Sequence, residues 1–464
     1  MARIVIVGAG ITGLALAFRL RQARPDFDIT LLEAATRPGG AIWTEQQEGF
    51  RFEIGPNGFL DSKPTTLQLC RDLGLGDELI AASKASRKNR FLFLDGRLQK
   101  LPRGPLSLLA TRLLSASGKL ALLAEPFRKH PKEHKDESVA AFFRRRLGRE
   151  AADVLGDALV TGIHGGDPEL LSMQAAFPRM AAMEREHGSV FRGYFRAAKQ
   201  QRLEAKAKGE PPPQPGRMWS FRGGLRTLIE ALHDRVQPAC GVNVRRIERH
   251  ERDWLVRGEG NDTWPADAVV LACPAYRQAE IVADFDAPLA TEISTIPFNR
   301  IAVVALGYRT GDIPVAPEGF GFIAPQRTRR DLLGVQWCSA IFPERAPAGF
   351  VLWRALCGGW HRGEVVDWDD DRLLAAVREQ LRLAQGVTAA PAFHRIVRWP
   401  QAIPQYHLGH GERVRKIEQM AANHAGLFLT GNSYHGVALN DCTEQATILA
   451  GKIAGFFASG PSGR

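Results

Sequence analysis

The chain begins with an apolar run, a helical pattern and a second apolar run. Residues 4–7 are apolar and mostly β-branched, which predicts a buried parallel strand. Residues 14–20 continue as a helical pattern, and residues 28–32 predict the second strand. This strand–helix–strand order predicts an α/β fold built on a parallel sheet.

Glycines occupy the turn between the first strand and the helix. Gly8 allows a tight turn, Gly10 lets the backbone approach a pyrophosphate, and Gly13 lets the helix pack close to the strand. The helix N-terminus presents N–H groups to phosphate oxygens. Glu33 ends the second strand twenty residues past Gly13, the spacing of an acid that binds a ribose hydroxyl. These features together predict a dinucleotide site; the alternative is a βαβ unit without a ligand. A carboxylate at Glu33 favours FAD or NAD over NADP.

The middle of the chain changes pattern several times. Residues 89–97 predict a hairpin around an Asp-Gly turn. Residues 106–201 have a helical and basic pattern, which indicates either an amphipathic helical region with a solvated face or a surface that docks on a membrane. Residues 301–308 and 349–356 predict a second, antiparallel sheet.

Three later segments are predicted strands of the same region as the first sheet, and a fourth is a predicted helix. Residues 242–247 and 268–272 are predicted strands that complete the dinucleotide sheet. Residues 426–432 predict a buried strand, and residues 444–456 a helix.

Two further glycine-rich elements follow, and the second of them favours a flavin over a nicotinamide. The turn 55–58 (Gly-Pro-Asn-Gly) follows a predicted strand, and the segment 436–442 leads from the last strand into the last helix. The N–H groups of such a helix start suit the electron-rich pyrimidine edge of a reduced flavin or phosphate oxygens. Nicotinamide enzymes do not need a second element of this kind.

Composition and charge limit the function classes. The chain has 464 residues, 45% hydrophobic content and a net charge of +11, which describes a globular protein of two or three domains with an anionic partner. The cationic clusters lack a nucleic-acid-binding motif, so no nucleic-acid partner is predicted. No window of ~18 apolar residues predicts a transmembrane helix. Without a signal-peptide pattern, we expect a cytoplasmic protein.

Cysteine and histidine spacing predicts no metal site. The six cysteines are scattered without a C-x-x-C pair, as expected of thiols in a reducing compartment. His130 and His134 lie four residues apart, but Pro131 between them disfavours a helical ligand pair. We interpret this segment as a solvated loop.

The motifs taken together resemble the flavin-containing amine oxidase superfamily, through the pattern E-A-x-x-R-x-G-G that starts at Glu33. The turn 55–58 narrows the resemblance to the oxygen-dependent, FAD-containing protoporphyrinogen oxidase family, across nearly the full chain. The supporting segments are residues 8–13, 55–58, 89–91, 319–321, 342–347, 403–406 and 434–442.

The resemblance implies an α/β fold with an FAD-binding Rossmann-like domain, a second α+β substrate domain and an inserted helical domain. The FAD-binding domain is predicted at 1–75, 217–285 and 405–464. The substrate domain is predicted at 76–100 and 286–404. The helical, membrane-associating domain is predicted at 101–216.

The resemblance also implies the site residues. FAD contacts are expected at Gly8, Ala9, Gly10, Ile11, Thr12, Gly13, Glu33, Ala34, Gly40, Ala41, Gly55, Pro56, Asn57, Gly58, Val244, Trp399, Val437, Ala438 and Leu439. Position 41 departs from the family pattern, which often has a large aromatic residue there; Trp43 is the next aromatic residue.

For the substrate, the resemblance implies that Arg90 pairs with a porphyrinogen propionate, while Phe320 and Ile323 flank the macrocycle and the loop of Gly166 lines the pocket. The alternative for Arg90 is a solvated hairpin charge. Because a methylene bridge can transfer hydride to the flavin, no catalytic side chain is expected.

The implied reaction is the six-electron oxidation of protoporphyrinogen IX with O2 as acceptor, in heme biosynthesis. Coproporphyrinogen III oxidation is the alternative that keeps the chemistry. Carotenoid desaturase, polyamine oxidase or a non-catalytic porphyrin-binding flavoprotein are the others. The resemblance further implies a homodimer, peripheral contact with the cytoplasmic face of a membrane and ferrochelatase as a partner.

Overall fold

A five-stranded parallel sheet and a seven-stranded mixed sheet organise the chain. The structure, a computed structural model, describes residues 1–102, 105–129, 135–207, 216–250, 253–328 and 330–458. The strands are β1 (Arg3–Val7), β2 (Asp28–Glu33), β3 (Thr44–Gln47), β4 (Phe50–Glu53), β5 (Phe59–Leu60), β6 (Leu79–Ala81), β7 (Arg90–Leu94), β8 (Arg97–Lys100), β9 (Met218–Phe221), β10 (Ala239–Cys240), β11 (Arg246–His250), β12 (Asp253–Arg257), β13 (Thr263–Ala266), β14 (Ala268–Leu271), β15 (Ile301–Arg309), β16 (Gly321–Ile323), β17 (Leu332–Gln336), β18 (Phe350–Gly358), β19 (Phe393–Trp399) and β20 (Leu427–Leu429).

Helices cover both faces of the parallel sheet and form most of the region between β8 and β9. They are α1 (Ile11–Ala23), α2 (Thr65–Asp72), α3 (Lys84–Lys88), α4 (Pro105–Ala110), α5 (Ala116–Leu123), α6 (Val139–Leu147), α7 (Arg149–Ala151), α8 (Asp157–His164), α9 (Met173–Ala176), α10 (Pro178–His187), α11 (Val190–Ala207), α12 (Arg226–Val236), α13 (Ala275–Val282), α14 (Ala287–Ser294), α15 (Cys338–Ile341), α16 (Asp370–Gln385), α17 (His410–Ala422) and α18 (Leu439–Ala458).

The parallel sheet has the strand order β10-β2-β1-β14-β20. The chain moves from β1 to β2 on one side and returns as β14 and β20 on the other. The order in which strands are added to the sheet therefore reverses between β1 and β14. Open α/β sheets bind ligands at the carboxyl ends of the strands at such a point. Apolar residues of β1 are buried on both faces, because α1, α12 and α18 cover one face and α13, α14, α17 and the three-stranded sheet β11-β12-β13 cover the other.

The second sheet has the order β19-β15-β18-β17-β16-β7-β8. Its early hairpin, β7–β8, joins the later strands by a parallel pairing of β7 with β16. The hairpin turn was predicted, and both turn residues, Asp95 and Gly96, have positive φ angles of 52° and 73°.

Two predicted elements are corrected by the structure. Residues 242–247 are not a strand of the parallel sheet: Gly241 turns the chain with a φ of 78°, and β11 starts only at Arg246 in a separate antiparallel sheet. The last helix begins at Leu439, five residues before its predicted start. There the Asp441 carboxylate accepts the N–H of Ala438 at 3.1 Å, so a segment that resembled a loop is already helical.

The region predicted to be helical holds α4 to α11. His130, His134 and most of the Pro-rich segment 209–216 lie outside the described residues. Among the helices that are described, none is long and apolar enough to cross a membrane.

Candidate cofactor and substrate site

The glycine loop after β1 leaves a cradle at one position and is tightly packed at two others. A Cβ on Gly8, whose φ is 105°, would lie 2.7 Å from the Cys273 nitrogen, and a Cβ on Gly13 would lie 2.0 Å from the Gly8 carbonyl oxygen. A Cβ on Gly10 would meet no atom within 4 Å. Protein packing therefore explains Gly8 and Gly13, whereas the space beside Gly10 fits a pyrophosphate at the start of α1.

Glu33, at the end of β2, is tied to this loop. Its Oε2 accepts the Ala9 N–H at 2.7 Å, and its Oε1 accepts the Ala35 N–H at 2.9 Å. The Glu33 carbonyl accepts the N–H of Val242 at 2.9 Å, which brings the segment of Val244 alongside. The Val244 side chain itself is buried in the core. Since each carboxylate oxygen accepts more than one hydrogen bond, Glu33 can also bind a ribose hydroxyl.

The next turn continues this backbone surface. Gly39 donates to the Ala9 carbonyl at 2.7 Å and forms a parallel bridge with Gly10. A Cβ on Gly55 would lie 1.9 Å from the Ala41 carbonyl oxygen, so the turns around residues 41 and 55 are in direct contact. Loop 8–13, turn 39–41 and turn 55–58 are thereby brought together.

The Trp43 ring is held by cations. It lies between the guanidinium groups of Arg37 and Arg226, at 4.5 and 4.4 Å from the ring. Ala41 is exposed, and its side chain is a methyl group where the family pattern often has a large aromatic residue. Ala34, next to Glu33, is also exposed.

The segment 436–439 is fixed by a buried tyrosine that the sequence analysis did not single out. The Tyr406 hydroxyl donates to the Asn432 carbonyl and accepts the N–H of Gly436 at 2.8 Å. Its ring stacks on His410 at 4.0 Å between centroids. Burial raises the pKa of Tyr406 well above its ordinary value, so the hydroxyl remains a donor. Val437 and Ala438 thus precede the first turn of α18, where N–H groups are not used within the helix.

Two side chains of the seven-stranded sheet hold the turn that begins at Gly55. Arg354 on β18 donates from Nη1 to the carbonyls of Glu53 at 2.7 Å and Gly55 at 2.8 Å. Trp399 on β19 donates from Nε1 to the Ile54 carbonyl at 2.8 Å. The segment 53–55, which leads into the turn, is therefore tied to the seven-stranded sheet by three hydrogen bonds.

Asn57, inside this turn, has an unpartnered amide. The side chain is buried, and its Nδ2 has no hydrogen-bond partner among the residues that the structure describes. A buried N–H₂ group without an acceptor is unfavourable. A polar edge of a flavin or of a substrate ring would satisfy it, and this unsatisfied donor together with the cradle at Gly10 shows that the residues present fit FAD.

A row of four cross-strand neighbours crosses the seven-stranded sheet on one face. The register pairs Arg90 with Gly321, Gly321 with Gln336, and Gln336 with Arg354. Neighbouring strands lie about 4.8 Å apart, so the Cα atoms of Arg90 and Arg354 are separated by roughly 14 Å. We call this row and the adjacent row of Ile323 the floor.

Glycines keep the floor low. A Cβ on Gly321 would lie 1.9 Å from the Val335 carbonyl oxygen, and one on Gly334 would lie 2.4 Å from the Phe322 carbonyl oxygen. Both positions must be glycine for the strands to pair. Gly321 leaves the surface between Arg90 and Gln336 without a side chain, and Gly334 does the same beside Ile323. A flat ring can approach such a surface.

The predicted substrate residues lie at the outer part of the floor. The Arg90 guanidinium is 4.7 Å from the Phe320 ring centroid. Ile323 contacts α8, where a Cβ on Gly162 would lie 2.7 Å from its Cδ1. Gly166 follows α8 and accepts a hydrogen bond from the Gln326 amide at 2.7 Å. Arg90 and Phe320 are thus in contact and Ile323 lies two residues beyond Gly321 on β16, whereas Gly166 lies in the loop after α8, the helix that contacts Ile323.

Buried charges surround the turn on its other side. Glu53 accepts hydrogen bonds from Thr44 and Leu225, and its carboxylate lies 3.8 Å from Arg345. Burial raises the pKa of Glu53, opposed by Arg345. His164, at the end of α8, is buried, neither of its ring nitrogens has a hydrogen-bond partner among the described residues, and burial lowers its pKa to about 4. Neither group is placed as a nucleophile.

Metal and thiol chemistry have no basis in the described part of the chain. It contains no cluster of three or more His, Cys, Asp or Glu side chains that could hold a metal ion. Burial raises the pKa of Cys273 to about 12 and also raises that of Cys338. Both remain thiols, so the site offers binding groups rather than a nucleophile.

Known proteins are similar to this chain in sequence and in fold. The family model for flavin containing amine oxidoreductase matches residues 11–454. Coproporphyrinogen III oxidase of Bacillus subtilis is 29% identical, over 95% of this chain and 96% of that protein. Protoporphyrinogen oxidase of Bos taurus is 32% identical, over 97% of this chain and 98% of that protein. A solved structure from Exiguobacterium sp. 255-15, named as a candidate protoporphyrinogen oxidase, has a TM-score of 0.81 at 27% identity and covers 97% of this chain and 98% of its own. These findings confirm the resemblance, the α/β fold and the flavin cofactor.

Proposed function

The chain belongs to the flavin containing amine oxidoreductase family, and we propose that this member oxidises protoporphyrinogen IX to protoporphyrin IX with O2 as acceptor. It is an FAD-dependent oxidoreductase whose relatives act on porphyrinogens. Bound FAD would accept a hydride from a methylene bridge and pass two electrons to O2, giving H2O2, in each of three rounds. The observation that carries the proposal is the low floor, which runs from Arg90 to the turn at Gly55.

Each part of the floor has a task in this reaction. The Arg90 guanidinium is a planar fork suited to a carboxylate, and Phe320 stacks against it. Gly321 and Gly334 admit the face of the macrocycle, and Ile323 packs beside it. Arg354 and Trp399 hold turn 55–58 in place at the inner end, so the substrate carbon can be presented to the flavin at a fixed distance. Pyrrole protons leave to solvent.

The choice between the two porphyrinogens depends on where carboxylates can bind. Protoporphyrinogen IX has two propionates, whereas coproporphyrinogen III has four. Arg354 donates to two backbone carbonyls and to Gln336 Oε1, so its guanidinium is occupied by the protein. Arg90 stands at the opposite end, and the next row is apolar at Leu92 and Ile323. One cationic end and one apolar row support the substrate with fewer propionates.

An aerobic porphyrin-fluorescence assay tests the proposal, with the two porphyrinogens compared in parallel on purified holoenzyme. We expect faster porphyrin formation from protoporphyrinogen IX, above autoxidation. A preference for coproporphyrinogen III would move the enzyme to that substrate and leave the FAD site intact. No enzyme-dependent rate with either would refute porphyrinogen oxidation.

We further propose peripheral contact with an anionic membrane through the end of α5. Leu120 and Phe127 are apolar and are 68% and 84% exposed. Beside Phe127 lies a cleft of about 540 Å³ lined by Arg128, Arg185, His187, Arg192 and Arg196, among other residues. Exposed apolar side chains next to a basic cleft suit lipid tails and anionic headgroups, respectively.

Liposome co-sedimentation tests this contact. Leu120→Ser with Phe127→Ser should reduce binding to vesicles that contain phosphatidylglycerol. Val315→Ser, which changes an equally exposed apolar residue elsewhere, is the matched control. Equal binding by both variants would contradict the proposed surface.

The homodimer and the ferrochelatase partner stay predictions, tested by light scattering and by pull-down with purified ferrochelatase.

A further inference from the structure

Arg354 has a fully buried positive charge with no carboxylate in ion-pair contact among the described residues; the Glu53 carboxylate attracts it electrostatically but also attracts the buried Arg345, so two guanidinium groups share one carboxylate. The side chain is 1% exposed in the middle of β18. Within the described residues no carboxylate lies within 4.0 Å of it; the nearby Glu53 carboxylate is instead 3.8 Å from Arg345. A buried cation is unfavourable unless a partner compensates for it. Its retention in this position therefore calls for an anionic partner.

The hydrogen bonds of Arg354 place this charge directly behind turn 55–58. Its acceptors are the carbonyls of Glu53 and Gly55 and the side-chain oxygen of Gln336. All three acceptors are neutral, so they orient the guanidinium and leave its net charge in place. Its Nε has no partner in the described part of the chain.

We propose that Arg354 stabilises the negative charge that FAD gains on reduction and so raises its reduction potential. The residue does not need to touch the flavin: it acts through the turn that it holds, as a positioning residue and a fixed charge in a low-dielectric interior. This inference rests on the proposed function, because it assumes that turn 55–58 faces the flavin ring. It predicts that the charge of Arg354 matters more than its hydrogen bonds.

Two substitutions at this position separate charge from hydrogen bonding. Arg354→Lys keeps the charge and loses the fork, whereas Arg354→Gln loses the charge. Sulfite is the probe, because it adds to oxidised flavin, bleaches its absorbance and leaves a negative charge on the ring. We expect Arg354→Gln holoenzyme to bind sulfite at least tenfold more weakly and to have a lower two-electron potential, by about 30 mV per tenfold change. Arg354→Lys should stay within threefold of the unmodified protein.

Arg395→Gln is the control for charge loss elsewhere in the seven-stranded sheet, because Arg395 on β19 is exposed and pairs with Glu45 at 3.2 Å. Its sulfite affinity should stay within threefold of the unmodified protein. If Arg354→Lys binds sulfite as weakly as Arg354→Gln, Arg354 is only a clamp and the proposal is refuted. If Arg354→Gln does not fold, the result for Arg354→Lys decides alone: normal affinity supports the proposal and lost affinity overturns it.

The readout does not depend on the porphyrinogen. Sulfite affinity and potential are measured from flavin absorbance alone. A protein that holds FAD but oxidises neither porphyrinogen would refute the proposed function while still testing Arg354. The two failures are therefore distinguishable.

Discussion

The glycine loop after β1 and the floor of the seven-stranded sheet use glycine for different purposes. In the loop, Gly8 and Gly13 are required because backbone segments meet there, while Gly10 leaves space for a ligand. In the floor, Gly321 and Gly334 each serve both purposes. Because they have no Cβ, the neighbouring strand can pair with them without a clash, and because they have no side chain, the surface stays open.

The difference teaches how each site tolerates change. In the loop, some glycines are needed for folding and another for binding, so each glycine can be tested by itself. The floor combines the two at the same residues. Substitutions at its glycines would disturb the fold, so the function of the floor has to be tested at its polar ends, Arg90 and Arg354.

The largest expected effect separates folding from binding in the loop. Gly13→Ala places a Cβ 2.0 Å from the Gly8 carbonyl oxygen, which cannot move without breaking the turn. We expect it to lower the free energy of unfolding by about 3 kcal/mol and to prevent FAD retention. Gly10→Ala is the control, since it meets no atom within 4 Å. It should fold normally and bind FAD about tenfold more weakly, or about 1.4 kcal/mol, measured by fluorescence titration. Equal unfolding energies for both variants would contradict this distinction.

The next effect is a pH dependence from α8, the helix that contacts Ile323 of the floor. The glycine loop contains no histidine and should lack this dependence. Burial lowers the pKa of His164 from 6.5 to about 4. Below pH 6.5 the unfolded chain takes up a proton that folded His164 does not accept until about pH 4. Stability is therefore present above pH 6.5 and is lost as the pH falls toward 4, by roughly 3 kcal/mol.

Chemical unfolding at pH 7 and pH 4.5 measures this slope. His164→Phe should reduce it, and the exposed His394→Phe should leave it unchanged. His410, also buried with a pKa of about 4, adds a slope of the same sign. An unaltered slope in His164→Phe would show that His164 titrates normally.

A smaller effect is expected at the outer end of the floor. Arg90→Ala removes a charge-assisted pair with a propionate, worth about 2 kcal/mol, so KM should rise about 30-fold. The flavin spectrum should not change. Arg97→Ala, in the same hairpin, is the control and should leave KM as it is. A loss of FAD from Arg90→Ala would place this residue in the cofactor site instead.

The smallest effect concerns the buried brace of the last helix. Tyr406→Phe leaves the N–H of Gly436 without its 2.8 Å acceptor. We expect the free energy of unfolding to fall by about 1 kcal/mol and FAD to bind several-fold more weakly. Tyr194→Phe, on an exposed residue, should change neither. Unchanged FAD affinity in Tyr406→Phe would separate this tyrosine from the cofactor site.

The loop could be predicted because it is local. Gly8, Gly10, Gly13 and Glu33 lie within one strand–helix–strand unit, and each has a spacing that follows from backbone geometry. The floor could not be derived in this way. Its row from Arg90 to Arg354 comes from four strands, of which β7 is far from the other three in the chain, and their pairing depends on the register, which only the folded sheet determines.

A signal for Arg354 was nevertheless present. It interrupts the apolar run 350–357, and a charge inside such a buried strand indicates a partner or a site. Tyr406 was less visible, since its role depends on Asn432 and Gly436. The error at 242–247 has a similar cause: the residues have strand character, but Gly241 turns the chain away from the sheet.

The parallel pairing of β7 with β16 has a consequence for biosynthesis. Arg90 and Gly321 are partners in this pairing, although helices α4 to α11 and strands β10 and β14 of the parallel sheet lie between them in the chain. At translation rates of about 5–20 residues per second, β7 waits on the order of tens of seconds for its neighbour to be made. During that time the apolar strand Phe91–Leu94 has an open edge, which can pair with other chains. The strand that carries Arg90 is thus open to intermolecular pairing until β16 has been made.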